Sequence, residues 1–211
     1  MKKTIIFILL AFILVGCKEE TSNIEDEANE VEQNEDIDYS NFVYKQYLDE
    51  ENPVVTIVVE NYGTIKLQLF QEVAPITVNN FIEYVLEGSY NGSTFHRIIE
   101  NFMIQGGIVE STHGAIVGEF KDNGIENPLL HTRGVISMAR TSVFNSATSQ
   151  FFIMHQDASH LDESYAAFGA MISGFDVLDS IASVDTNYLD APTNTITIKS
   201  ITVELNGFEN T

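Results

Sequence analysis

Arg97 is the residue on which chemistry could be built. It stands in FHRIIENFMIQGG, Phe95 to Gly107, among Phe95, Ile98, Ile99, Phe102 and Met103. A guanidinium is almost never fully buried without a partner. It therefore either pairs with a carboxylate over the sheet or holds a fork of donors toward an apolar groove, gripping a carbonyl or amide. Spacing alone leaves both readings open. The stretch patterns as two short strands around a turn. Phe95, Arg97 and Ile99 point one way on the first strand, His96 and Ile98 the other. Glu100-Asn101 break the apolar run. Phe102, Ile104 and Gly106 share one face of the second strand, Met103 and Gln105 the other. Gly106-Gly107 mark a bulge or a close approach of backbone.

Other chemistries find little support. His96, His113, His131, His155 and His160 show no metal-ligand spacing. His96 faces away from Arg97 and reads as packing. Ser146, Ser149 and Ser159 lie in no nucleophile elbow. Asp122, Glu126, Asp157 and Asp162 read as solvated surface charge. Neither a metal nor a cofactor is expected.

FHRIIENFMIQGG resembles the signature of the cyclophilins, the peptidyl-prolyl cis-trans isomerases. Two further blocks match in order, RGVISMAR (Arg133–Arg140) and SATSQFFIMHQDASHLDESYAAFG (Ser146–Gly169). The resemblance runs from about Val54 to about Leu205. It implies a closed eight-stranded antiparallel β-barrel with a helix over each end and a peptide groove on the barrel's outer surface. It also implies cofactor-free isomerisation of X-Pro bonds. By position, Arg97 matches the catalytic Arg. Gln105 matches the Gln that hydrogen-bonds the substrate backbone and buttresses that Arg. Phe102, Met103, Phe152 and Leu161 match the walls of the proline pocket. Ala139 and Arg140 match the edge that pairs with the peptide backbone, and Gln150 the floor beside Arg97. Without the family pattern these positions read as ordinary strand and core. Tyr165 and His160 stand where the best-known eukaryotic members have His and Trp. Tyr keeps an aromatic wall and a hydroxyl, so activity is expected to survive. The missing indole implies weaker cyclosporin binding. Arg140 replaces an Asn that acts through its backbone, so the change should be tolerated. Phe144 and its neighbours give the loop from Arg140 to Gln150 a different shape, which leaves the preference before proline open.

The elements that must position these residues are mainly β. Val54–Glu60 (VVTIVVE) is β-branched and nearly continuous, a strand expected to be covered on both faces. Asn61-Tyr62-Gly63 turns the chain into Thr64–Phe70, which alternates as a hairpin partner should. Pro75 opens a helix at its first position. Val78, Phe81, Ile82, Val85 and Leu86 form its apolar stripe, and Gly88 ends it. A long loop runs from Ile108 to His131. Gly134–Met138, Gln150–Met154 and Phe168–Ile172 read as strands, and Phe175–Ile181 as a short helix with Phe175, Leu178 and Ile181 on one side. Thr195–Leu205 closes the domain as a long, bent or paired strand. About eight strands and two helices, without strand–helix alternation, argue for an antiparallel barrel rather than a doubly wound sheet.

The chain opens with Met1-Lys2-Lys3, an apolar run from Ile5 to Val15, then Gly16-Cys17. That is an export signal, too short for a spanning helix. Leu14-Val15-Gly16-Cys17 resembles the lipobox of bacterial lipoproteins, whose Cys takes a diacylglycerol after the leader is cut. Cys17 is the only Cys, so no disulfide forms within the chain. The expected organisation is a signal peptide over 1–16, a lipidated Cys and acidic tether over 17–51, and an isomerase domain over 52–211. From Lys18 to Glu51, 13 acidic residues face two lysines. The first part has too few apolar residues to fold, and its like charges extend it. Tyr39, Phe42, Tyr44, Tyr47 and Leu48 interrupt the acidic run, either docking on the domain or making a sticky linker. From Asn52 on, the net charge is −12, which argues against nucleic acid and against a polybasic membrane contact.

The expected partners are proline-containing polypeptides, the membrane through a lipid on Cys17, and cyclosporin weakly. The protein is expected as a monomer on the extracytoplasmic face of the cell membrane. The alternative from another class is a tethered, non-catalytic peptide-binding module or holdase. A solute-binding lipoprotein is disfavoured by size and by the lack of two lobes.

Overall fold

The computed structural model describes residues 42–110 and 113–208. The leader, Cys17, the acidic run and Tyr39 lie outside the described residues. Strands β1 (Val54–Val59) and β2 (Gly63–Leu69) form a hairpin that pairs Val54 with Gln68 and Val59 with Gly63. The turn between them places Asn61 in the left-handed region, at φ 66°, a conformation Asn tolerates. β1 alternates rather than being covered on both faces. Val55, Ile57 and Val59 are buried, whereas Val54, Thr56 and Val58 are half-buried. An antiparallel sheet needs only one face on the core, and β-branched residues suit the other through strand propensity.

Helix α1 (Pro75–Leu86) begins at Pro75, whose missing N–H costs nothing at that position. The next donors are met by a buried carboxylate from the long loop. Glu119 accepts from the Ile76 N–H (3.1 Å), the Thr77 N–H (2.7 Å) and the Thr77 hydroxyl (2.7 Å). Val78, Phe81, Ile82 and Val85 face the core with Tyr84, but Leu86, at the helix end, is 61% exposed. Phe81 packs edge-on against Phe151 and tilted against Phe168, with centroids 5.5 and 5.3 Å away. Each such buried aromatic contributes about 1.5–3 kcal/mol through burial.

The remaining strands are β3 (Arg97–Ile99), β4 (Met103–Gly106), β5 (Val135–Met138), β6 (Phe151–Met154), β7 (Ala167–Ser173) and β8 (Ile198–Glu204). Helix α2 (Phe175–Ala182) lies between the last two and buries Val177, Leu178, Ile181 and Ala182. The sheet is antiparallel throughout, ordered β3-β4-β6-β5-β7-β2-β1-β8. It curls but does not close, so the expected closed barrel is corrected to an open half-barrel with β3 and β8 as its edges. Among the described residues the edges meet where the chain approaches them: Thr94 bridges to Thr197, the Gly92 N–H donates to the Ile198 carbonyl (2.8 Å), the Ile198 N–H to the Ser93 carbonyl (2.8 Å) and the Phe95 N–H to the Ile196 carbonyl (3.0 Å). Beyond that point the Ile98 N–H is taken by the carbonyl of Asp190 (2.8 Å). A loop therefore covers the outer edge of β3 where a closing strand would pair.

The aromatic segment before β1 docks on this body. Residues Val43–Tyr47 form a 3-10 turn, and the buried Tyr44 donates its hydroxyl to the Met171 carbonyl at 3.0 Å. Phe42 stacks on Phe175, and Tyr47 lies against Phe70.

Candidate active site

The register of four strands builds the site. Arg97 lies opposite Gln105, Gln105 opposite Phe152, and Phe152 opposite Ser137. Side chains directly opposite across a sheet share a face, so these four form one row across β3, β4, β6 and β5. The alternate row, Ile98, Ile104, Ile153 and Ile136, is buried in the core. Phe95 does not share the face of Arg97. It precedes β3 and is buried against Phe151. Gly107 takes a φ of 83°, and a Cβ there would stand 2.7 Å from the Ser149 carbonyl. The double Gly thus marks a close backbone approach, at the back of the site.

A cavity of about 200 Å³ opens over this row, lined by Arg97, Phe102, Met103, Gln105, Ala139, Arg140, Phe152, Leu161 and Tyr165. Cofactor and drug-sized pockets run to roughly 300–1,000 Å³, so this one suits a small ring. Its floor is apolar, with Met103 and Phe152 nearly inaccessible. Tyr165 meets Phe152 edge-on at 5.7 Å. Leu161 is held in the 3-10 turn Ser159–Leu161. In the same turn His160 stacks over Phe102 at 5.6 Å. Gln150 flanks the row: Gln105 Nε2 donates to Gln150 Oε1 at 3.1 Å, and the Gln150 carbonyl accepts the Ala139 N–H at 2.9 Å. Every residue that sequence matching placed in the groove therefore lines this cavity or touches a residue that does.

Arg97 and Arg140 are both cations at the rim, but they differ in freedom. Arg97 is 40% exposed, with Nη2 3.2 Å from Asp190 Oδ2. Arg140 is turned back. Its guanidinium lies 4.5 Å from the Tyr165 centroid, 5.0 Å from that of Phe120 and 5.1 Å from that of Phe144. Its N–H groups donate to the carbonyls of Ser164 and Thr141.

Beneath Phe152 lies a buried polar line that sequence reasoning missed. The His131 ring is stacked 6.0 Å from that of Phe152. Its Nε2 is 3.1 Å from Ser137 Oγ and its Nδ1 is 3.1 Å from Asp162 Oδ1. Burial pushes the imidazole pKa down, against the pull of the Asp162 carboxylate. Ser137 is wholly buried, so the arrangement supports the floor and offers no nucleophile. Asp162 is thus no solvated surface charge; it also accepts the His131 backbone N–H at 2.7 Å. The serine and histidine here lie six residues apart, but the carboxylate comes from a distant turn. Asp190 was missed for the same reason.

The model of the family described as cyclophilin type peptidyl-prolyl cis-trans isomerase/CLD matches residues 54–203. A peptidyl-prolyl cis-trans isomerase of Acinetobacter baylyi is 48% identical over 134 residues, covering 60% of this chain and 71% of that protein. Peptidyl-prolyl cis-trans isomerase B of Escherichia coli is 40% identical over 156 residues, covering 68% and 95%. Among solved structures, a Cryptosporidium parvum cyclophilin type isomerase, crystallised in the presence of the dipeptide Ala-Pro, superposes with a TM-score of 0.65. It is 30% identical and covers 72% of this chain and 98% of its own. With the three signature blocks, the outward row and the small cavity with its apolar floor in agreement, the chain belongs to the cyclophilin-type peptidyl-prolyl cis-trans isomerases.

Proposed function

We propose that this isomerase is lipid-anchored through Cys17 and turns X-Pro bonds in exported polypeptides outside the cytoplasmic membrane. In this proposal Arg97 stabilises the twisted amide while Phe102, Met103, Phe152 and Leu161 hold the proline ring. The observation that carries the catalytic part is the placement of the Arg97 guanidinium at the rim of a small cavity floored by the buried side chains of Met103 and Phe152. The Ala-Pro dipeptide named for the Cryptosporidium relative has the size and chemistry this cavity suits.

Rotation about the X-Pro bond costs about 18–20 kcal/mol because it breaks amide resonance. As resonance is lost, the prolyl nitrogen becomes pyramidal and regains a lone pair. A donor aimed at that nitrogen interacts more strongly with the twisted state than with the planar one, which is what lowers the barrier. Arg97 has five N–H donors in a rigid fork. Nη2 faces Asp190, leaving the others for the substrate carbonyl and nitrogen. No bond is made or broken and no proton changes owner. Such chemistry runs without nucleotide, as a protein outside the cytoplasm requires.

The location rests on the basic start, the short apolar run and Cys17. Two measurements test the proposal. The full chain accelerates isomerisation of an Ala-Pro peptide, and Arg97→Ala loses about tenfold or more, some 1.4 kcal/mol of barrier lowering. Full activity in Arg97→Ala would overturn the role of Arg97. Intact mass and membrane fractionation show an acylated Cys17, and Cys17→Ser releases the chain from the membrane; an unmodified, soluble wild type would overturn the anchor. With His160 in place of an indole at the rim, cyclosporin binds more weakly than nanomolar, which titration checks directly.

A further inference from the structure

The loop between α2 and β8 covers the outer edge of β3 and reaches the site there. Its conformation is held from within. Thr186 bridges to Pro192, and the Thr193 N–H donates to the Asp185 carbonyl at 2.8 Å. Asn187 accepts through Oδ1 from the N–H groups of Leu189 (2.8 Å) and Ala191 (3.2 Å), and its carbonyl accepts from Asp190 (3.0 Å). At the inner turn, Asp190 contacts two successive residues of β3. Its carbonyl accepts the Ile98 N–H at 2.8 Å, and its carboxylate stands 3.2 Å from Arg97 Nη2. Asp190 has a φ of 62°, in the left-handed region that Asp and Asn enter more readily than other residues with side chains.

We propose that Asp190 is the positioning residue for Arg97, and this rests on the catalytic role given to Arg97 above. A long side chain that is 40% exposed samples many rotamers unless something holds its far end. Pairs this exposed contribute little to stability, so the weight of the contact falls on orientation. The geometry suits that task. The carboxylate that holds the guanidinium is itself registered to β3 by the Ile98 bond, so Arg97 and its restraint share one strand as a frame. One edge of the fork is thereby fixed outward, and the remaining N–H groups are turned toward the cavity. The loop that prevents the sheet from closing is the same loop that sets the catalytic donor.

Two substitutions separate orientation from loop folding. Asp190→Asn and Asp190→Gly both accept the left-handed backbone and keep the carbonyl that receives the Ile98 N–H. In the full chain, Asp190→Gly is expected to lower kcat/KM for an Ala-Pro peptide by roughly five- to tenfold, mainly in kcat, with Asp190→Asn in between. The same changes are then made in an Arg97→Ala background. The residual kcat/KM of every variant is measured at raised enzyme concentration, so the cycle is closed in the quantity that Asp190 is expected to move, and NMR titration of the peptide checks that each groove still binds. A loss with Arg97 present and none with Arg97 absent supports the assignment. Equal losses in both backgrounds would mean that Asp190 only shapes the loop, and would overturn it. If Arg97→Ala loses activity and Asp190→Gly does not, the role of Asp190 fails while that of Arg97 stands. If Arg97→Ala loses nothing, the role of Arg97 fails and this assignment fails with it.

Discussion

Gln105 and Gln150 join β4 to the start of β6 through a side-chain hydrogen bond of 3.1 Å, beside the cavity and one strand from Arg97. The bond commits the Gln105 amide N–H to Gln150, which orients the remainder of that amide beside the guanidinium. Gln150→Leu keeps the bulk and removes the acceptor. The expected loss is about 1 kcal/mol of transition-state binding, roughly fivefold in kcat/KM. Peptide kinetics beside an unchanged circular dichroism spectrum check it; unaltered kcat/KM would show that the amide pair is incidental.

Arg140 makes the opposite case, a cation near a groove that serves the fold. Three aromatic rings surround its guanidinium, and its N–H groups are taken by backbone carbonyls. Its family counterpart acts through the backbone, so the sequence suggested that the side chain was free to vary. The cage implies that it is not. Arg140→Lys keeps the charge but loses the planar stack and the fork, and is expected to cost about 1–2 kcal/mol of stability. Urea unfolding measures this; a midpoint within error of wild type would contradict it.

These two residues show what the sequence carried and what it could not. The row Arg97, Gln105, Phe152 was legible because strand period and signature spacing are both local. Closure was not legible, because it depends on what meets the edge of β3, and that is a loop from near the far end of the domain. Asp162 read as surface charge, and Asp190 drew no reading, for the same reason. A carboxylate's partner is set by tertiary approach, which alternation does not encode. The segment before β1 had acidic flanks and enough aromatic area to dock, two opposed signals that only packing resolves. The stripe of α1 was read correctly through Val85 and overran at Leu86, where the helix leaves the core.

Glu119 is another long-range partner, and its removal should be costly. It is 3% exposed and meets the first donors of α1 after Pro75 with three hydrogen bonds. A carboxylate at a helix N-terminus also complements the helix dipole. Glu119→Ala leaves those donors, the two of Thr77 fully buried, without a partner, for an expected loss of about 2–3 kcal/mol. Glu119→Gln keeps one acceptor and should lose less. Equilibrium denaturation orders the three proteins; equal stability of wild type and Glu119→Ala would overturn the capping role.

The stability of the domain should also fall in mild acid, through His131. Burial lowers its pKa below the ordinary 6.5, with hydrogen bonding and charge from Asp162 opposing and the His160 charge adding to the fall. His96 shifts the same way, chiefly by burial and less by the Arg97 charge. As pH drops through 6.5 the unfolded chain takes up protons that the folded chain refuses until lower pH. The stabilisation is therefore complete above that value and is lost on acidification toward the folded pKa. His131 supports Phe152 from below, so its protonation would disturb the pocket floor as well as the fold. His131→Gln removes one of the two titrations and should flatten the dependence of unfolding free energy on pH between about 7 and 5. Urea titrations across that range decide it, and a slope as steep as wild type would show that His131 gains its proton as readily folded as unfolded.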